Sequence, residues 1–306
     1  MEVRESIETA DPPQTGNLAS LTSGFAIVQW EGGHRVVYSA DPNAAGGRPF
    51  LDSVEIQMGR ALHDQSVALT LGKADLVEFD PSEPQRAGSG HKVWSSAPVR
   101  LLMLLFGPRI EDPRVREALA LAVDRNSIHS VMLQREGEIS GALLPQWLSG
   151  EAFLFPVATD VAKARALIVG VPPAARTFSL GVADAANRRI ADRIALNARD
   201  AGLMVSAAAP NTAGDVRLVE VRIASSDPAV ALAGVAAALG LQQPSRIDSP
   251  EALYSAERAL LEGFRVVPLF HLPDVYGVNP RVKGGPGITP MGEWRFENLW
   301  VEAARP

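Results

Sequence analysis

The chain has 306 residues, 46% of them apolar and 21% charged, with a formal net charge of −6. That usage belongs to globular chains of one or two domains and excludes the disordered and fibrous classes. The acidic balance offers no basic face for nucleic acid or an anionic membrane surface. The absence of cysteine removes disulfides, thiolate nucleophiles and Cys-based zinc sites.

Residues 1–17 read as a polar tail. Acidic side chains and two adjacent prolines stand where a signal peptide needs an apolar stretch, so the chain as written carries no export address. From Gly24 the pattern becomes β-like. Phe25–Trp30 and Arg35–Tyr38 flank Gly32-Gly33, a hairpin whose turn uses the positive φ that glycine supplies. Asp41–Pro49 is a loop, and Val54–Met58 alternates with period two, as a half-buried strand does. A short helix ends at Gly72, and Ala74–Phe79 is a further strand.

Residues 80–91 are loop by composition. Val99–Phe106 is a continuous apolar run that suits a buried strand. The strongest helix follows: Asp112 caps it, Pro113 fits its first turn, and Val115, Ala118, Leu119, Ala122 and Val123 recur at helical spacing. Asp160–Ile168 is a second helix. A third runs from about Ala186 to Gly202 with Ile190, Ile194 and Ala198 on one face, and the strand Leu203–Val205 succeeds it. The apolar run Ala229–Leu241 is shorter than the roughly 20 residues a membrane helix needs, so no direct membrane insertion is expected. A fourth helix runs from Ser249-Pro250 to Gly263, and the apolar segment Val266–Phe270 comes next. Strands alternating with helices predict a mixed α/β protein.

The sequence holds no G-x-S-x-G elbow, no G-x-G-x-x-G after a strand, no Walker loop and no H-E-x-x-H. His34, His63, His91, His129 and His271 are scattered without ligand spacing. The expectation is therefore a binding protein, with no catalytic residue, no metal and no cofactor.

Several pieces, read in order, resemble family 5 of the bacterial extracellular solute-binding proteins, the oligopeptide, dipeptide and nickel receptors of ABC importers. Gly24-Phe25 to Trp30 is similar to the family's opening strand, Gly46–Asp52 to its "GGRPYLD" loop, and Leu71–Asp75 to its "L-x-G-x-x-D" turn. Asp112-Pro113-Arg114-Val115-Arg116-Glu117-Ala118-Leu119, continuing to Ala122-Val123-Asp124-Arg125, resembles the signature "D-x-R-V-R-x-A-L…A-I-D-R". Leu144-Pro145, the Asp160–Leu167 helix, Ile190-Ala191 to Gly202-Leu203 and Val267-Pro268-Leu269 keep family order. The signature charges bracket an amphipathic helix and read as structural, with Asp112 as cap.

The resemblance implies a two-lobed, periplasmic-binding-protein-like (type II) α/β fold with mixed sheets. Lobe I is expected to combine 18–98 with 265–306, and lobe II to be 99–264, with crossings near Ser95–Pro98 and Phe264–Pro268. About a third of a typical member has no counterpart, so the first lobe is expected to be incomplete. The implied partners are a peptide or other small-molecule ligand and the membrane subunits of an ABC importer, in the periplasm or outside the cell. The alternatives are a cytoplasmic ligand-sensing domain related to the same family and a degenerate relative that binds nothing. Ligand-binding candidates are Trp94, Met103, Arg222, Ser225, Asp227, Phe270 and His271. Trp94 and Met103 are aromatic or apolar groups that suit a pocket wall, Trp94 just before the first crossing; Arg222 and Asp227 flank the segment that resembles the family's ligand loop, with Ser225 inside it, and Phe270-His271 lie near the second crossing. Ala224 stands where peptide receptors of the family hold an aspartate for the peptide's amino group, so weak binding of free peptides is expected.

Overall fold

The first sheet is a small antiparallel one, β1 (Phe25–Glu31), β2 (Arg35–Ala40) and β3 (Ser53–Gln57), in that order. In this computed structural model residues 24–79, 90–151, 153–182, 185–208, 214–244 and 247–302 are described. The polar tail 1–17 and nearly all of the expected loop 80–91 lie outside them. Gly33 has φ +71°, so the hairpin turn uses the conformation only glycine adopts without strain. The register places Ile27, Tyr38 and Val54 opposite one another, and likewise Trp30, Val36 and Ile56. Gln29, Glu31, Arg35, Glu55 and Gln57 fall on the other face, where Arg35 and Glu55 pair at 2.7 Å. The period-two alternation read from sequence is thus a two-faced sheet.

Helix α1 (Leu62–Thr70) leads into β4 (Leu76–Phe79), which pairs antiparallel with Val275–Val278 of β10 (Val266–Val278). Gly277 sits diagonally under the Phe79 ring, and a Cβ there would run into that ring. Val278, Val282 and Leu299 form a core onto which Leu51, Leu76, Trp94 and Phe296 pack.

Contacts divide the chain into two compact units. The first holds the described residues of Met1–Phe79, Gln85–Ser96 and Val275–Pro306, and the second holds Ala97–Asp274. The chain passes between them inside two long strands, β5 (Lys92–Phe106) and β10. Both exceed the expected spans of Val99–Phe106 and Val266–Phe270. Proline lacks the donor a central strand needs, which makes β10 look shorter from sequence than it is. Pro268 and Pro273 fall outside the stretches that pair with β4 and with β6 (Glu138–Ile139), so no ladder bond on that side is lost.

In the second unit the strand order is β10-β5-β9-β7-β8, with β6 beside β10. Here β7 is Thr177–Val182, β8 Met204–Ala207 and β9 Val216–Arg222. β5 and β9 run antiparallel, whereas β7 is parallel to both β8 and β9, so the sheet is mixed. Leu101, Leu102, Met103 and Leu104 are wholly buried in β5. α2 (Pro113–Ala122) buries Val115, Ala118, Leu119 and Ala122, and the Asp112 carboxylate accepts the Arg114 N–H at 2.9 Å. α3 (Val161–Leu167) packs on α2 and is capped by Asp160. α4 (Arg188–Asp200) turns Ile190, Ile194 and Ala198 inward and links β7 to β8. α5 (Pro228–Ala238) and α6 (Pro250–Leu261) complete the unit, with Ser249 capping α6. No helix among the described residues is long and apolar enough to cross a membrane.

Candidate functional site

Two neighbourhoods of the second unit gather the chemically notable side chains. The first lies where β5 and β9 run side by side. Arg100 and Arg222 are direct cross-strand partners, and like charges opposite one another destabilise a sheet. Asp274 resolves this. One carboxylate oxygen pairs with Arg222, and the other lies 3.3 Å from Arg100 Nε, within ion-pair range but without hydrogen-bond alignment. Arg100 also donates to Glu220 Oε1 and to the Pro273 carbonyl, each at 3.0 Å. Asp274 is nearly buried, with a side chain 10% exposed, so both guanidinium groups serve to keep its charge compensated.

Beyond Arg222 the chain turns. Ile223 is buried and Ala224 is exposed. Ser225 Oγ accepts the Asp227 N–H at 3.0 Å, and Asp227 Oδ1 accepts the N–H groups of Ala229 and Val230. Asp227 is therefore the N-cap of α5, with Pro228 in the first turn.

The second neighbourhood is interior. Phe270 is fully buried and stacks on His129, ring centroids 6.3 Å apart and planes 13° apart. His271 is equally buried. Its Nε2 lies 3.2 Å from the Leu143 carbonyl, which can only accept, so Nε2 carries the proton and Nδ1 a lone pair. Burial pushes the imidazole down to about 4, against the favourable Leu143 contact. The ring is thus neutral near pH 7, and its 3.7 Å approach to Glu138 is not an ion pair. The same Leu143 residue donates its N–H to Glu257 Oε1 at 2.5 Å, and Leu144 does so at 2.9 Å. Burial lifts Glu257 to about 7 in spite of these two donors. One peptide unit thus joins a buried acid to a buried base.

The sequence candidates therefore fall in different places. Trp94 packs on the first unit's core, and Met103 and Phe270 are sealed in the second unit's sheet. His271 is buried beneath Glu138, and only Arg222, Ser225 and Asp227 lie together near the surface. Trp147 is 42% exposed and donates its Nε1–H to the Pro98 carbonyl at 3.0 Å. Sequence reasoning missed Arg100, Glu138, Glu257 and Asp274. Glu220 and Arg222, two apart and so on one face of β9, could have marked it as carrying an ionic face; the other groups carried no local signal. Among the described residues no three His, Asp or Glu side chains converge to hold a metal ion.

Residues 5–237 match the family model described as the middle part of family 5 of the bacterial extracellular solute-binding proteins. No curated protein matches the chain. Three solved structures share the fold with a TM-score of 0.74. One is the ABC-transporter substrate-binding protein CtaP from Listeria monocytogenes, at 15% identity over 91% of this chain and 66% of that one. NikZ from Campylobacter jejuni, solved with Ni(L-His), is 17% identical over 90% of this chain and 67% of its own. The periplasmic binding protein DppA from Helicobacter pylori, solved with the peptide STSA, is 17% identical over 92% and 63%. The chain thus spans about two thirds of the length of these neighbours. At such identities the likeness establishes the fold, the mixed α/β architecture of type II periplasmic binding proteins.

Proposed function

Because the chain belongs to family 5 of the bacterial extracellular solute-binding proteins, we propose that it binds a peptide-like or other small solute for an ABC importer. In this reading the solute is held between two lobes, 18–98 with 265–306 and 99–264, and is delivered to membrane subunits from the periplasm or cell exterior. The observation that carries it is the family match over 5–237, supported by neighbours described as transporter-associated binding proteins. Arg222, Ser225 and Asp227 are the proposed contact residues, since the accessible end of β9 and the turn that follows it carry them within six residues of one another. Closure of lobes about such crossing strands is the general working mode of two-lobed binders.

The exposed Ala224 sets the specificity. A desolvated ammonium without a partner charge costs about 3–5 kcal/mol, so free peptides are expected to bind poorly and N-acylated peptides better. Titration calorimetry with both sets tests this, together with Ala224→Asp, which is expected to restore binding of free peptides. Sub-micromolar affinity of the parent chain for free di- or tripeptides would overturn the specificity. Failure of both sets to bind either chain would overturn the peptide-like reading.

A further inference from the structure

A cavity of about 340 Å³ opens in the second unit, lined by β6 and the single-turn helix Gln146–Ser149 together with His129 and Phe153. Its polar wall joins the Glu138 carboxylate and the His129 ring to the Gln146 side chain. The Glu138 side chain is 35% exposed, and its carboxylate accepts the Gln146 N–H. Among the described residues no lysine or arginine lies within ion-pair range of it. Directly behind it is the buried Nδ1 lone pair of His271, 3.7 Å from Oε1 and without any hydrogen-bond donor. His129 turns Nε2 toward the Gly137 carbonyl at 3.1 Å, which in the neutral ring leaves Nδ1 as an acceptor. The Ser140 hydroxyl is already committed, donating to the Ala142 carbonyl and accepting the Ala142 N–H. Ile139 and the exposed Phe153 supply apolar sides.

A partly desolvated carboxylate that meets only the Gln146 N–H among the described residues, backed by an imidazole lone pair, creates a negative potential without a counter-charge. Burial accordingly raises the Glu138 pKa above the usual carboxylate value. The chemistry that answers such a wall is a positive charge rich in N–H donors on a small apolar body, and an aromatic side wall strengthens it through cation–π attraction. We propose that this cavity is a binding site for a small organic amine, its ammonium on Glu138 and its apolar body against Phe153 and Ile139. The site lies wholly within the second unit and does not use Arg222, Ser225 or Asp227, so it stands or falls independently of the solute reading.

Benzylamine, benzyl alcohol and benzoate share one body and differ in charge, which makes them the probes. Titration calorimetry of the full chain near neutral pH is expected to show benzylamine binding at least tenfold more tightly than the other two. Glu138→Gln is expected to weaken benzylamine by roughly two- to fivefold, as loss of a partly exposed ion pair does. Phe153→Ala, at an exposed position that folding does not depend on, is expected to weaken it several-fold. The proposal is overturned if the three probes bind alike, if benzylamine does not bind, or if both variants bind it as the parent does.

Discussion

Relative to the parent, Glu257→Gln is expected to make the protein more acid-sensitive and His271→Gln more alkali-sensitive, although in the parent the contributions of these two groups offset each other between pH 4 and 7. Glu257 is 1% exposed, and burial raises its folded pKa from 4.5 to about 7. A raised folded pKa means that this group's contribution to stability is fully present below 4.5 and is lost as pH rises to about 7. The loss is about 3 kcal/mol. His271 runs the other way. Its pKa falls from 6.5 to about 4, so its contribution is present above 6.5 and lost as pH drops to 4, again by about 3 kcal/mol. Because both titrate across the same window with opposite sign, they offset each other. Glu257→Gln leaves the imidazole unopposed, and the variant should lose about 3 kcal/mol relative to the parent's profile between pH 7 and 4. His271→Gln should gain a similar amount over the same fall in pH. Urea denaturation at several pH values, read as variant minus parent, cancels the other carboxylates. Profiles parallel to the parent's would show that these groups are not titrating where their burial places them.

Arg125→Ala is expected to destabilise the protein by about 3–5 kcal/mol, because it leaves backbone carbonyl acceptors without a donor and empties a large buried volume. The guanidinium is 1% exposed and donates to the carbonyls of Ala120 and Pro268 at 3.1 Å, and to that of Val157 at 3.5 Å. Ala120 belongs to the last turn of α2, where carbonyls lack intrahelical partners and a cation complements the helix dipole. Pro268 belongs to β10, so one side chain fastens helix to strand. Truncation orphans three buried acceptors and opens a cavity as well. Lysine brings the charge but not the planar fork, so Arg125→Lys is expected to recover only part of the loss. The midpoint of urea unfolding at pH 7 measures both variants, and a loss for alanine under about 1 kcal/mol would contradict this account.

What was legible in the sequence follows from how local each signal is. The helices α2, α3 and α6 announce themselves through Asp112, Asp160 and Ser249, each of which caps as its position implies. The hairpin was legible for the same reason, since its turn chemistry and alternation lie within sixteen residues of one another. α5 was not, because the run after Asp227 is apolar on every side and shows no helical period. Asp227-Pro228, a cap followed by proline, was the signal that would have found it. β10 reads as an apolar segment ending at Phe270 because His271, Pro273 and Asp274 interrupt the run, and Pro273 falls outside the stretches that pair with β4 and β6. The charge network and the buried pair escaped for another reason. Leu143, Glu257 and His271 stand more than a hundred residues apart from end to end, and only the packed sheet brings them onto one peptide unit. Arg125 lay in a recognisable signature and was rightly taken as structural, yet its burial against three carbonyls could not be read from spacing.

The most direct test of the central claim, that this chain binds a small solute, is ligand-dependent melting of the purified protein. The panel holds free short peptides and nickel–amino-acid complexes, the classes its solved neighbours hold, together with N-acylated peptides. A ligand that binds only the folded state raises the melting temperature in proportion to the logarithm of its concentration over Kd. The account predicts a cooperative transition that at least one class shifts upward in a concentration-dependent way, with N-acylated peptides ahead of free ones. A cooperative transition that no member moves at saturating concentration would contradict it.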